Sequence, residues 1–177
     1  GDMVMLHPFL SGLKIQRREV SITLLCNEKG EEVFSREPSV DRIVRIDQES
    51  SESATNARIA ETLEEAKAEL ILVPYFHKVH PKALFSRPAA RVVTFADHVG
   101  FPQRWWYDRA DLCIPKPVGR SERDNLLRLF AEAGFRGPLS DVPLAFSPEE
   151  MEEVDEFLRS RQLDRFNLIV LIPGSEK

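Results

Sequence analysis

Cysteine is scarce in this chain, with only two among 177 residues. Cys26 and Cys113 lie far apart in separate apolar strand patterns, with no CxxC pair and no even ladder of spacings, so no disulfide framework can be read from them. Buried free thiols in a reducing compartment are expected instead. Long hydrophobic runs are missing too, since no apolar stretch approaches the roughly 20 residues of a membrane span. GxGxxG, GxxxxGK[ST], HExxH and GxSxG are all absent, which removes the strongest support for nucleotide dehydrogenases, P-loop ATPases and serine hydrolases. Positive charge is outnumbered: 24 Lys and Arg face 29 Asp and Glu, for a net charge of -5. That balance argues against general nucleic-acid binding, although a local cluster of Lys14, Arg17 and Arg18 could meet an anionic partner. No repeat, low-complexity tract or glycine-rich linker divides the chain.

What is present is the rhythm of one α/β domain. The length is enough for a core burying roughly 70% of the unfolded surface. Short apolar runs at 21–26, 41–46, 69–75, 90–95, 112–116 and 166–172 read as strands. Helical spacing of apolar residues marks 3–15, 30–36, 55–68, 121–133 and 148–161 as helices, while the polar run 48–53 reads as a flexible loop. Strand alternating with helix predicts a doubly wound, mainly parallel, Rossmann-like sheet with helices on both faces. Its ligand cleft would lie at the carboxyl ends of the strands. Ser121 and Ser147 are expected N-caps, the second with Pro148 at the first helical position, and Gly134 a helix end. Leu126, Leu127, Leu129 and Phe130 on one helix, and Val154, Phe157 and Leu158 on another, are expected to face the core.

Candidate chemistry falls on helix starts and strand ends. Asp2 opens the first helix, where a carboxylate either complements the helix dipole or, at the mouth of a cleft, takes a proton from an attacking hydroxyl. His7 is expected to pack, and Pro8 to kink that helix or delay its start. Tyr75, His77, Lys78 and His80 follow a strand, as either a solvated loop or a polar cleft wall. They make a poor metal site, because no acidic or cysteine ligand shares the segment. The segment 97–109, with His98, Arg104 and the Trp105, Trp106 and Tyr107 cluster, reads first as core packing and second as a cleft lining suited to sugars and anions. The last strand pattern runs into Pro173-Gly174-Ser175-Glu176-Lys177, whose backbone N–H groups, hydroxyl and cation suit phosphate oxygens.

Three ordered pieces, GDMVMLHPFLSGLKIQ at the start, SITLLCNEKGEEVFSREPSVDRIVRID after it, and LIVLIPGS near the end, together resemble the amino-terminal half of glycosyltransferase family 9, the heptosyltransferase group of lipopolysaccharide assembly. The first 47 residues carry the specific part of the likeness; 48–165 match in rhythm only. The resemblance implies a GT-B architecture, with 1–165 as the acceptor-side domain and 166–177 as the crossing strand and start of a donor-binding domain. It implies an inverting, metal-independent transfer from an ADP-sugar to a lipopolysaccharide-core or related glycan hydroxyl, with no cofactor. Asp2 then stands as general base, Gly174, Ser175 and Lys177 at the donor phosphates, and Gly1, Tyr75, His77, Lys78, His98 and Arg104 on the acceptor side. A cytoplasmic location follows, extending to the inner face of the membrane through peripheral association, with nucleotide-sugar and glycan partners and no nucleic acid.

The sequence departs from the family pattern at two places. The strand that usually precedes Gly-Asp is not in the sequence, and by the doubly wound order two strand edges should be open. Val73-Pro74-Tyr75-Phe76-His77 stands where an acidic residue is usual, which points to a different acceptor. A second reading is a catalytically silent domain binding a carbohydrate or partner through its aromatic and histidine loops.

Overall fold

A computed structural model describes residues 2–46, 51–74, 81–84, 90–95, 109–116, 119–137, 139–140 and 142–161. They form two compact units, Gly1–Leu144 and Ala145–Lys177. In the first, the order is α1 (Asp2–Gln16), β1 (Thr23–Cys26), α2 (Glu28–Phe34), β2 (Arg42–Arg45), α3 (Glu52–Glu65), β3 (Leu70–Val73), α4 (Pro81–Leu84), β4 (Arg91–Phe95), β5 (Leu112–Ile114) and α5 (Glu122–Glu132). The second unit carries α6 (Pro148–Ser160). The expected strand at 166–172 and the domain boundary at 165 lie outside the described residues.

Among the described residues every strand pairing is parallel, as the alternation requires: β1 with β2, and β3 with β4 with β5. Side chains alternate between two faces, and the cores show that the two sheets are halves of one layer. Leu24, Ile43 and Leu72 pack with Leu6, Phe9, Leu10 and Leu13 of α1 and with Leu126 and Phe130 of α5. Leu25, Val44, Ile46, Ile71, Val73 and Val92 pack on the opposite side with Ile59 and Leu63 of α3. Each such Leu, Ile or Phe contributes about 1.5–3 kcal/mol by leaving water.

The faces fix the strand order. Phe34 places α2 on the α1 face, whereas α3 packs on the other. Right-handed crossovers then put β2 outermost, β1 inside it, and β3, β4 and β5 running away in the other direction. The order reverses between β1 and β3. Two open edges are expected, and among the described residues β1 and β3 each pair on one side only.

Local sequence explains most element boundaries. Ser121 accepts from the Asp124 N–H, Gly134 ends α5 with φ +102°, and Ser147 and Glu150 form a reciprocal capping box with Pro148 inside it. The helix α1 runs through Pro8 without interruption; the Pro8 carbonyl also accepts from the Ser140 N–H at 3.1 Å. No helix among the described residues is long and apolar enough to cross a membrane.

Four expectations need correction. The polar run 48–53 is not all loop, because Ser51 caps α3 through its side chain and the helix begins at Glu52. Leu127, Val154 and Phe157 do not face the core but are 38%, 49% and 56% exposed; apolar spacing alone made the expected stripe one residue too wide. Lys14 is no free part of a basic patch, for its ammonium is bonded to Asp41. Cys113 is half-buried rather than buried, and both thiols are free of disulfides.

Candidate functional site

The direction of α1 settles which end of the sheet its first turn occupies. Met3 lies beside Gly30 and Cys26, the last residue of β1. At the other end, Lys14 donates to the Val20 carbonyl at 2.7 Å and to both oxygens of Asp41, ahead of β2. The helix therefore runs antiparallel to the strands, and Asp2 begins it at the carboxyl edge. That edge is also where the strand order reverses, between the ends of β1 and β3, the place where open α/β sheets form their ligand crevice.

The described side chains at this edge come mostly from helix starts and strand ends. Asn27 caps α2, accepting from the Gly30 N–H at 3.0 Å. Arg45, ending β2, stands 3.4 Å from Glu28; both are exposed, so the pair adds little stability. Beyond β5, Lys116 lies 2.8 Å from Glu122 and 5.7 Å above the Phe95 ring. Burial, with a smaller contribution from the charge of Glu31, pushes the Cys26 thiol up to about 11, so it stays protonated and inert at neutral pH. Of these groups the sequence marks only Cys26, expected as a buried free thiol and found so. The one other visible signal is Gly30, a glycine in a helical pattern directly after a strand.

The amino edge is organised by carboxylates that face the backbone. Asp41 accepts from the Ile22 N–H at 2.7 Å, and Asp111 from the Val92 N–H at the same distance. Burial alone would raise the Asp41 carboxyl, but bonds from Lys14 and Ile22 outweigh it and hold the group below the usual carboxylate range. Asp41 is thus the structural reason for the Pro-x-Val-Asp step at 38–41.

Within the fold, His7 meets Glu37 at 2.8 Å and Ser11 at 3.1 Å, with all three buried. Both contacts use the same ring nitrogen, Nε2. A catalytic Ser-His-acid relay needs the acid on the opposite ring nitrogen. This cluster therefore fastens α1 to the loop after α2, in keeping with the packing role expected for His7.

Of the candidate residues, only the backbone of Asp2 is described. Gly1, Tyr75, His77, Lys78, His98, Arg104, Gly174, Ser175 and Lys177 lie outside the described residues. The described β3 ends at Val73, so the chain enters the Tyr75 to Lys78 segment from the carboxyl edge. No group of three or more His, Cys, Asp or Glu suited to a metal occurs among the described residues.

The chain shares its fold with a glycosyltransferase family 9 protein. The crystal structure of the glycosyl transferase family 9 from Veillonella parvula DSM 2008 matches with a TM-score of 0.68 at 17% sequence identity, covering 93% of this chain and 47% of that one. The chain thus spans about half the length of that glycosyltransferase. At that identity the likeness concerns fold. No family model and no curated protein matches the sequence.

Proposed function

We propose that this chain is the acceptor-side half of a two-domain, inverting glycosyltransferase that moves a sugar from an ADP-linked donor to a hydroxyl of a lipopolysaccharide core or related glycan. The observation that carries the reading is the placement of α1: Asp2 begins a helix whose first turn lies against the end of β1, beside the reversal of strand order. The fold shared with a glycosyltransferase family 9 protein supports it, and so do the ordered Gly-Asp, Pro-x-Val-Asp and Pro-Gly-Ser segments.

In this reading the Asp2 carboxylate takes the proton of the acceptor hydroxyl as its oxygen bonds to the anomeric carbon. The bond from that carbon to the donor phosphate breaks, and the nucleoside diphosphate leaves with the electron pair. Gly174, Ser175 and Lys177 hold the phosphates through N–H groups, a hydroxyl and a cation. Tyr75, His77, Lys78, His98 and Arg104 contribute to the acceptor side. The proposed reaction asks for no metal and no cofactor, and the reading includes a cytoplasmic location that extends to the inner face of the membrane through peripheral association. In the full-length protein, Asp2→Asn should lower sugar transfer by on the order of a hundredfold or more while the thermal unfolding transition stays in place. Wild-type turnover in that variant would remove Asp2 from the mechanism.

A further inference from the structure

Gly30 has no conformational reason to be glycine. It is the third residue of α2, it donates its N–H to Asn27, and its backbone is not in the left-handed region. Glycine at an ordinary helical position costs about 0.5–1 kcal/mol relative to alanine. Space gives the reason. A Cβ at this position would lie 2.6 Å from Cys26 Cβ, 3.1 Å from Cys26 Sγ and 3.0 Å from Met3 Cε. The methionine methyl is the far end of a flexible chain and can move. Cys26 Cβ is fixed to the backbone of β1 and cannot.

The first turns of α1 and α2 and the last residue of β1 therefore meet at one point, and the contact is possible because residue 30 has no side chain. Met3 fills what space remains, and Met3 is the neighbour of Asp2. We propose that Gly30 is a positioning residue that sets where Asp2 stands at the carboxyl edge. The inference rests on reading Asp2 as the base. An added methyl group meets the fixed Cys26 Cβ and pushes the start of α2 away from the end of β1; the first turn of α1, which rests there through Met3, shifts with it, and misplacing a reacting group by about 1 Å can cost on the order of a hundredfold in rate.

The test uses the full-length protein, with ADP release from ADP-heptose in the presence of a lipid A-core acceptor as readout. Gly30→Ala should lower kcat on the order of tenfold to a hundredfold, with KM for ADP-heptose unchanged and unfolding still cooperative. Gly30→Ala combined with Cys26→Gly removes the hard contact and should recover most of kcat, whereas adding Met3→Ala to Gly30→Ala should not. Unchanged kcat in Gly30→Ala, or no recovery in the folded Gly30→Ala/Cys26→Gly protein, overturns the inference while leaving an inactive Asp2→Asn to support the base. If Gly30→Ala alone does not fold, the double variant decides by the same criterion. Wild-type turnover in Asp2→Asn, or no turnover in the unmodified protein, overturns the underlying reading and this inference together.

Discussion

At the amino edge of the sheet, carboxylates are committed to the backbone: Asp41 accepts from the Ile22 N–H just before β1 and Asp111 from the Val92 N–H of β4, each at 2.7 Å, and Asp41 also holds Lys14. At the carboxyl edge the telling position is a glycine, Gly30, where a Cβ would lie 2.6 Å from Cys26 Cβ and 3.0 Å from Met3 Cε. The contrast separates two acids that the sequence presents alike. Asp41 is explained entirely by structure, because its oxygens close the start of β1 against β2. Asp2 begins a helix at the opposite edge, where the strand order reverses and ligands gather.

The largest loss of stability is expected between the two edges, at the pair that fastens α1 along its length. Glu37→Ala removes a hydrogen-bond partner of a histidine that is 3% exposed and should cost about 1–3 kcal/mol, read as a fall in the denaturant midpoint. A loss under 1 kcal/mol would mean that the pair does not hold the helix.

Next comes the amino edge itself. Asp41→Asn should cost about 1 kcal/mol, at the low end for a charged hydrogen bond because its side chain is 39% exposed. The pH dependence has a fixed sign. The folded-state carboxyl is lowered, so its contribution is fully present above the ordinary value of about 4 and is lost as pH falls below that value. Wild type minus Asp41→Asn stability should therefore be flat from pH 5 to 8, as roughly expected for an unperturbed carboxylate near 4 in the unfolded chain, and should shrink toward acid. A difference that grows on acidification would contradict the assignment.

The smallest effect concerns the end of α3, away from both clusters of contacts. Lys67 adopts φ 48° just after that helix, a conformation that favours glycine. Lys67→Gly should raise stability by about 0.5–1 kcal/mol, measured as an upward shift in Tm; a loss of stability would show that the lysine side chain has a role of its own.

Much of the fold was legible because the signals are local. Ser121 and Ser147 cap helices from three residues away, Gly134 ends one with its own φ, and β-branched or leucine-rich runs fall in β1 to β5 within a few residues of their expected limits. Contacts between distant segments were not legible. His7 gives no sign of Glu37, thirty positions on, and Gly30 reads as a weak helix residue until Cys26 and Met3 are seen against it. Phe157 shows the opposite error: spacing marks it as apolar face, but spacing cannot say whether anything covers that face. For the site, sequence singled out Asp2 at the start of α1, while the close approach of Cys26 and Met3 to Gly30 needed three-dimensional placement.

The most direct measurement compares two aspartates in the full-length protein by transfer rate and unfolding midpoint. Asp2→Asn should lose on the order of a hundredfold or more in turnover with its midpoint unchanged, and Asp41→Asn should lose stability while keeping turnover. Full activity in Asp2→Asn, or a turnover loss confined to Asp41→Asn, would contradict the account.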